Sequence, residues 1–253
     1  MSHPAWTAPA VLFLTLHLAA CTSGNPPGEE ASPSDISFTE VTDEAGLGEF
    51  RYENAARGKK WLPETMGAGA AFLDYDGDGW EDLLLVAGRP WPGDGPSGPA
   101  LELYRNQGNG TFTRVTDQVG LSEVRAFGFG LSVADYDNDG DPDVYVTTLG
   151  ENLLFENRDG RFVEVAQEAG VRGEPVWSTA SAFVDGQRDG RLDLLVGNYL
   201  RWSPEIDRTC TVEDTVATYC NPAVYEGLPG RFYRNEGAGR FRDRTEPAGF
   251  SPM

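Results

Sequence analysis

Three acidic segments with one common spacing constrain this chain more than any other feature. They read Asp74-Tyr75-Asp76-Gly77-Asp78-Gly79-Trp80-Glu81-Asp82, Asp135-Tyr136-Asp137-Asn138-Asp139-Gly140-Asp141-Pro142-Asp143 and Asp185-Gly186-Gln187-Arg188-Asp189-Gly190-Arg191-Leu192-Asp193. A second motif follows each one: Leu103-Tyr104-Arg105-Asn106 leading to Gly110-Thr111-Phe112, Leu154-Phe155-Glu156-Asn157 leading to Gly160-Arg161-Phe162, and Phe232-Tyr233-Arg234-Asn235 leading to Gly239-Arg240-Phe241. Each unit closes on a short tag, Val119-Gly120-Leu121, Ala169-Gly170-Val171 or Ala248-Gly249-Phe250. A fourth, unaccompanied copy of the closing strand and tag stands first, at Phe38 to Val41 and Ala45-Gly46-Leu47. Recurrence at a fixed period of about 50 to 60 residues is the mark of a repeat architecture.

The local signals within a unit are those of β structure. Short apolar runs bounded by glycine, such as Ala70 to Leu73 and Leu83 to Val86, enter and leave each acidic loop as buried strands do. Two more short strands follow, joined by a glycine-containing turn such as Asn106-Gln107-Gly108-Asn109-Gly110. Four strands per unit predict an all-β fold, a β-propeller of four-stranded blades with about three blades present, in units of about 36–121, 122–171 and 172–253.

Acidic residues at loop positions 1, 3, 5 and 9 with glycine at 6 have a direct chemical reading. Alternate side chains of a tightly turned loop converge, and their hard oxygens suit calcium. The predicted ligands are Asp74, Asp76, Asp78 and Asp82; Asp135, Asp137, Asp139 and Asp143; and Asp185, Gln187, Asp189 and Asp193, with the position-7 carbonyls of Trp80, Asp141 and Arg191. Helix-flanked calcium loops close on a bidentate Glu at position 12, where this chain has Leu85, Val146 and Val196, so that class is rejected. The competing reading is an Asx-turn cluster without metal. The first two loops each carry five acids and no base, whereas the third sets three aspartates against Arg188 and Arg191 and should bind calcium weakest.

Charge and composition narrow the function. Forty Asp+Glu against 20 Lys+Arg give a formal net charge of -20, the wrong sign for a nucleic-acid footprint. Both histidines, His3 and His17, precede residue 21, so a chain processed there has none for Ser-His-Asp or Cys-His catalysis. Residues 11–20, VLFLTLHLAA, are an apolar run suited to export and too short to span a bilayer. Leu18-Ala19-Ala20-Cys21 resembles a bacterial lipobox with Cys21 as the lipidated residue, so 1–21 reads as a lipoprotein signal and the Ser/Gly/Pro/Glu-rich 22–35 as a flexible linker. If Cys21 takes lipid, Cys210 and Cys220 remain as one pair in an oxidising compartment.

Together these motifs resemble the FG-GAP or VCBS repeat of integrin-α-like propellers. Pro63-Glu64-Thr65-Met66-Gly67, Trp177-Ser178-Thr179, the Asn198-Tyr199 to Cys220 segment and Leu228-Pro229 narrow the resemblance to proteins of the cartilage acidic protein type, which often carry an ASPIC/UnbV region. The resemblance covers about residues 36–253. It implies a calcium-binding propeller outside the cytoplasm, and the lipobox adds the expectation that it is membrane-anchored on a bacterial outer membrane or cell surface, or secreted. Gln187 and its neighbouring arginines depart from the pattern, and about three blades do not close the usual seven-bladed ring. The chain therefore reads as the amino-terminal part of a longer protein, the rival being a three-blade product that oligomerises.

The expected function is a non-enzymatic module presenting propeller loops to a protein or glycan; tryptophans such as Trp91 and Trp202 are candidates for stacking a sugar, although aromatics at blade ends are more often packing. The alternative is a propeller-fold polysaccharide lyase or sugar dehydrogenase using calcium.

Overall fold

Short apolar strands flank each acidic loop, and the structure pairs them across it. The computed structural model describes residues 37–89, 91, 98–213 and 215–250. The expected signal segment with Cys21, and the 22–35 linker, lie outside them. The chain divides after Glu40, and the fold occupies the unit Val41–Met253.

Three four-stranded antiparallel units follow one another, the second and third joined into one eight-stranded sheet by the pairs Leu149↔Trp177 and Gly150↔Val176. The first has β1 (Ala70–Leu73), β2 (Asp82–Val86), β3 (Leu101–Asn106) and β4 (Phe112–Arg114), paired in chain order. The second has β5 (Gly128–Ala134), β6 (Asp143–Gly150), β7 (Leu153–Asn157) and β8 (Phe162–Glu164), followed by one helical turn, α1 (Ala166–Ala169). The third has β9 (Val176–Val184), β10 (Asp193–Asn198), β13 (Arg231–Gly237) and β14 (Arg240–Asp243). The hairpin β11 (Cys210–Val212) and β12 (Val216–Thr218) is inserted between β10 and β13. These are the expected blades of an all-β propeller fold. Each acidic loop joins the first two strands of a blade, closing Leu73↔Asp82, Ala134↔Asp143 and Val184↔Asp193.

The cores lie between blades, because a sheet buries its apolar face only against another sheet. Leu84, Val86, Leu101 and Leu103 of the first blade pack with Val144, Val146, Phe155 and Phe162 of the second. Tyr136, Tyr145 and Leu154 of the second pack with Leu194, Val196, Tyr233 and Phe241 of the third. Each fully buried Leu or Val among them contributes about 1.5–3 kcal/mol relative to exposure.

The closing tags join the blades. Phe112 donates its amide to the Ala45 carbonyl at 2.8 Å, and Phe162 donates to Val119 at 2.9 Å. The next residue in each tag is a glycine at positive φ. A Cβ on Gly46, Gly120 or Gly170 would stand 2.6, 2.8 or 3.1 Å from the carbonyl oxygen of Phe112, Phe162 or Phe241. The tag ending one unit thus lies against the outer strand of the next, which explains the isolated first copy: its tag serves the first blade. Phe38 to Val41, expected as a strand, are not one, and Phe38 is 95% exposed. A strand needs a ladder partner, and none of the described residues pairs with this segment as a strand.

Of the two readings of the blade-end tryptophans, stacking platform or packing, the structure shows packing. Trp91 and Trp202 are each 6% exposed, in a cluster with Leu62, Phe127, Phe129 and Trp177. Trp91 stacks on Phe127 at 4.7 Å between ring centroids and meets Trp61 edge-on at 5.0 Å. Leu200 and Trp202 order the long insertion after β10 by entering this cluster, and the Cys210–Cys220 disulfide closes its hairpin.

The repeated glycine contact can be checked directly. Gly120→Ala should cost at least about 2 kcal/mol in urea denaturation, the positive φ and the Phe162 carbonyl acting together. Gly249→Ala, at the same repeat position with φ +83 and nothing within 4 Å of its Cβ, should cost only about 1 kcal/mol. Equal losses would mean that the close approach contributes nothing.

Candidate metal centre

The acidic loops are built on their own backbone amides. In each, the first aspartate accepts from the amides of positions 5 and 6. Asp74 takes Asp78 at 3.0 Å and Gly79 at 2.9 Å. Asp135 takes Asp139 at 3.1 Å and Gly140 at 3.0 Å, and Asp185 takes Asp189 and Gly190 at 3.0 Å each. The position-5 aspartate then accepts from position 7, giving Trp80 to Asp78, Asp141 to Asp139 and Arg191 to Asp189. The position-6 glycines have φ of +87, +104 and +81. Position 4 is left-handed as well, occupied by Gly77, Asn138 and Arg188. The first two residue types tolerate this conformation and arginine does not.

Position 9 serves a second purpose. Asp82, Asp143 and Asp193 are fully buried. Their carboxylates accept from the backbone amides of Asn106, Asn157 and Asn235 at 2.7, 2.8 and 2.9 Å, tying each loop to its blade's third strand. Asp82 and Asp143 also accept from the amides of Tyr75 and Tyr136. Burial pushes the Asp82 carboxyl up to about 6 and that of Asp143 up to about 8, against the lowering effect of these amides. The asparagines couple neighbouring blades: the Asn157 side chain donates to the Tyr75 carbonyl at 2.9 Å, and that of Asn235 to the Tyr136 carbonyl at 2.8 Å.

Two groups of carboxylates result, Asp74 with Asp76 and Asp78, and Asp135 with Asp137 and Asp143, each with ligand-capable oxygens within 4.8 Å of one another. Asp82 and Asp139 stand outside these groups. The third loop, with Asp185, Gln187, Asp189 and Asp193, forms no such group among the described residues. Its Asp189 is held by Arg191 (Nη2 to Oδ2, 2.5 Å), whose side chain lowers the Asp189 pKa. Asp141 accepts from the Asp159 amide at 3.1 Å, and Trp80 is 53% exposed. The donor set is entirely hard oxygen, and Asp137 Oδ1 is buried without a hydrogen-bond partner, an acceptor that a divalent cation satisfies. The residues fit calcium.

The fold adds residues that the loop sequences do not contain. Arg105 on β3 reaches the first loop, with Nε 2.7 Å from Asp76 and Nη2 2.8 Å from Asp78. Its counterpart in the second blade is Glu156, whose charge helps raise the Asp137 pKa after burial and Asp139. In the third blade it is Arg234, which contributes to lowering Asp189. The signal lay in the L-Y-R-N motif, where the residue before the asparagine changes charge while its neighbours repeat.

Blades with acidic loops at their first turn define a repeat protein of the propeller class. The model of the FG-GAP-like repeat matches residues 74–146 and 135–196, and the chain carries these repeats. It is similar to cartilage acidic protein 1, being 28% identical to the Xenopus tropicalis protein and 28% to the Mus musculus protein over 151 residues, and 34% to the Homo sapiens protein over 154. Each match covers 58% of this chain, and the matched segment spans only 22% to 23% of the relative's length.

A pH dependence follows from the buried carboxyls. Their folded pKa values lie above the unfolded ones, so the native state binds more protons and stability falls as pH rises from about 4 to about 8. In chelator, the melting temperature should drop across this window. Asp143→Asn should lower the whole curve, because an amide cannot accept from both backbone donors, and should flatten its upper half. A slope unchanged above about pH 6 would remove Asp143 as its source.

Proposed function

We propose that this chain is a non-enzymatic, calcium-binding propeller module, exported and held at a membrane through lipid on Cys21 or secreted, which presents its loops to a protein or glycan. The observation that carries the reading is the pair of three-carboxylate groups, each set in a backbone frame repeated from loop to loop. Calcium bound there would neutralise carboxylates that otherwise repel, and so stiffen the loops. The relatives bear the name cartilage acidic protein 1, and the Cys210–Cys220 disulfide suits an oxidising compartment outside the cytoplasm. A non-enzymatic role is supported by residue chemistry. Beyond residue 21 the chain has no histidine. The adjacent Lys59 and Lys60 sit over the rings of Trp61 and Tyr219 at 4.7 and 5.1 Å, and the buried carboxylates of Asp82 and Asp143 each accept from two backbone amides.

Metal that binds the folded state alone stabilises it by mass action. Chelation should therefore lower the melting temperature, and Asp137→Ala should remove more of the calcium-dependent stabilisation than Gln187→Ala. A wild-type melt unmoved by EDTA would overturn the reading.

The anchor is tested separately: labelled palmitate should enter the wild type in a bacterial host and not Cys21→Ser. Identical labelling of both would locate lipid elsewhere or nowhere.

A further inference from the structure

The first two loops have the same number of acids, yet the strand beside them makes them unequal. We infer that the residue preceding the third-strand asparagine sets each loop's affinity for a divalent cation, so that Arg105 acts as a resident counter-cation of the first loop while Glu156 favours the metal in the second. This deepens the calcium reading above and rests on it. Arg105 bridges Asp76 and Asp78, the loop residues at positions 3 and 5, with contacts of 2.7 and 2.8 Å. A guanidinium is permanently charged and its planar fork fits two carboxylates at once. A divalent cation entering between Asp76 and Asp78 must displace it. The first loop is thus partly neutralised before any metal arrives.

In the second loop the same strand position carries the opposite charge. Glu156 reaches the loop itself, its Oε2 lying 3.5 Å from the hydroxyl of Tyr136, the residue before Asp137, whose Oδ1 is buried and unpartnered. The cation nearest Glu156 is Arg158, with Nε 2.5 Å from its Oε1. Arg158 is held at Glu156 and forms no ion pair with a loop aspartate among the described residues. No bridging arginine crosses this loop as Arg105 crosses the first. The second loop should therefore fill first, which the loop sequences alone do not distinguish.

The test measures calcium by titration calorimetry on the full chain, with one loop disabled at a time. In the Asp137→Ala background, which leaves the first loop, Arg105→Gln should tighten calcium binding roughly three- to tenfold. In the Asp76→Ala background, which leaves the second, Arg105→Gln should change nothing and Glu156→Gln should weaken binding by a similar factor. A melt in chelator supplies a readout of opposite sign: Arg105→Gln should lower the metal-free melting temperature, because Asp76 and Asp78 lose their counter-charge, while enlarging the gain on adding calcium. Arg105→Lys, which keeps the charge and loses the fork, should fall between wild type and Gln. First-loop affinity unchanged within twofold in Arg105→Gln, or a first loop already tighter than the second, overturns this inference while leaving the calcium reading intact. If the wild type binds no calcium and Arg105→Gln creates binding at the first loop, Arg105 is the resident counter-cation but the role given to Glu156 and the filling order are overturned. If neither binds, both readings fall.

Discussion

Each acidic loop hangs on a carboxylate that water cannot reach. Asp82, Asp143 and Asp193 are buried at the first residue of the second strand, and each accepts from the amide of an asparagine on the third. A buried backbone donor left without its acceptor costs about 1–3 kcal/mol, so this bond holds the loop's exit and the third strand in one register. The asparagine's position then follows, and so does the reach of the Asn157 and Asn235 side chains to carbonyls of the preceding blade. The carboxylates gathered above the strands are in place because the one below them is fixed.

This dependence explains how much could be read from the sequence. Glycine at position 6, the strands on either side and the four-strand unit were legible because each rests on local chemistry: a positive φ, a short apolar run, a turn. What the residue before the asparagine does was not, since Arg105 and Asp78 are 27 positions apart and meet only across paired strands. The role of the tryptophans was left open between display and packing for the same reason. Trp91 and Trp202 stand in loop-like, proline-rich stretches, and only the packing of the insertion against Phe127 and Trp177 shows that they are core. Phe38 failed in the opposite direction: its motif is that of a strand, but a strand is made by its partner.

The acidic composition also takes on a structural meaning. A formal charge of -20 would strain a fold of this size if spread evenly. Much of the acidic content of the loops is met within a few ångströms by amides of the same loop, by Arg105 or by Arg191. The loops are concentrated charge with local compensation, which lets one motif vary its net charge from blade to blade without altering its backbone.

The asparagine bridges have a consequence for the chain as it leaves the ribosome. The carbonyl of Tyr75 waits 82 residues for the side chain of Asn157, and that of Tyr136 waits 99 for Asn235. Contacts of such sequence separation form late, and exposed sheet faces are vulnerable until they do. A blade emerging from the exit tunnel is therefore incomplete until its successor has been translated, and the nascent polypeptide carries one unfinished sheet throughout synthesis. The carboxylates of the acidic loops then act as a solubility device during the interval, keeping neighbouring nascent chains apart by mutual repulsion.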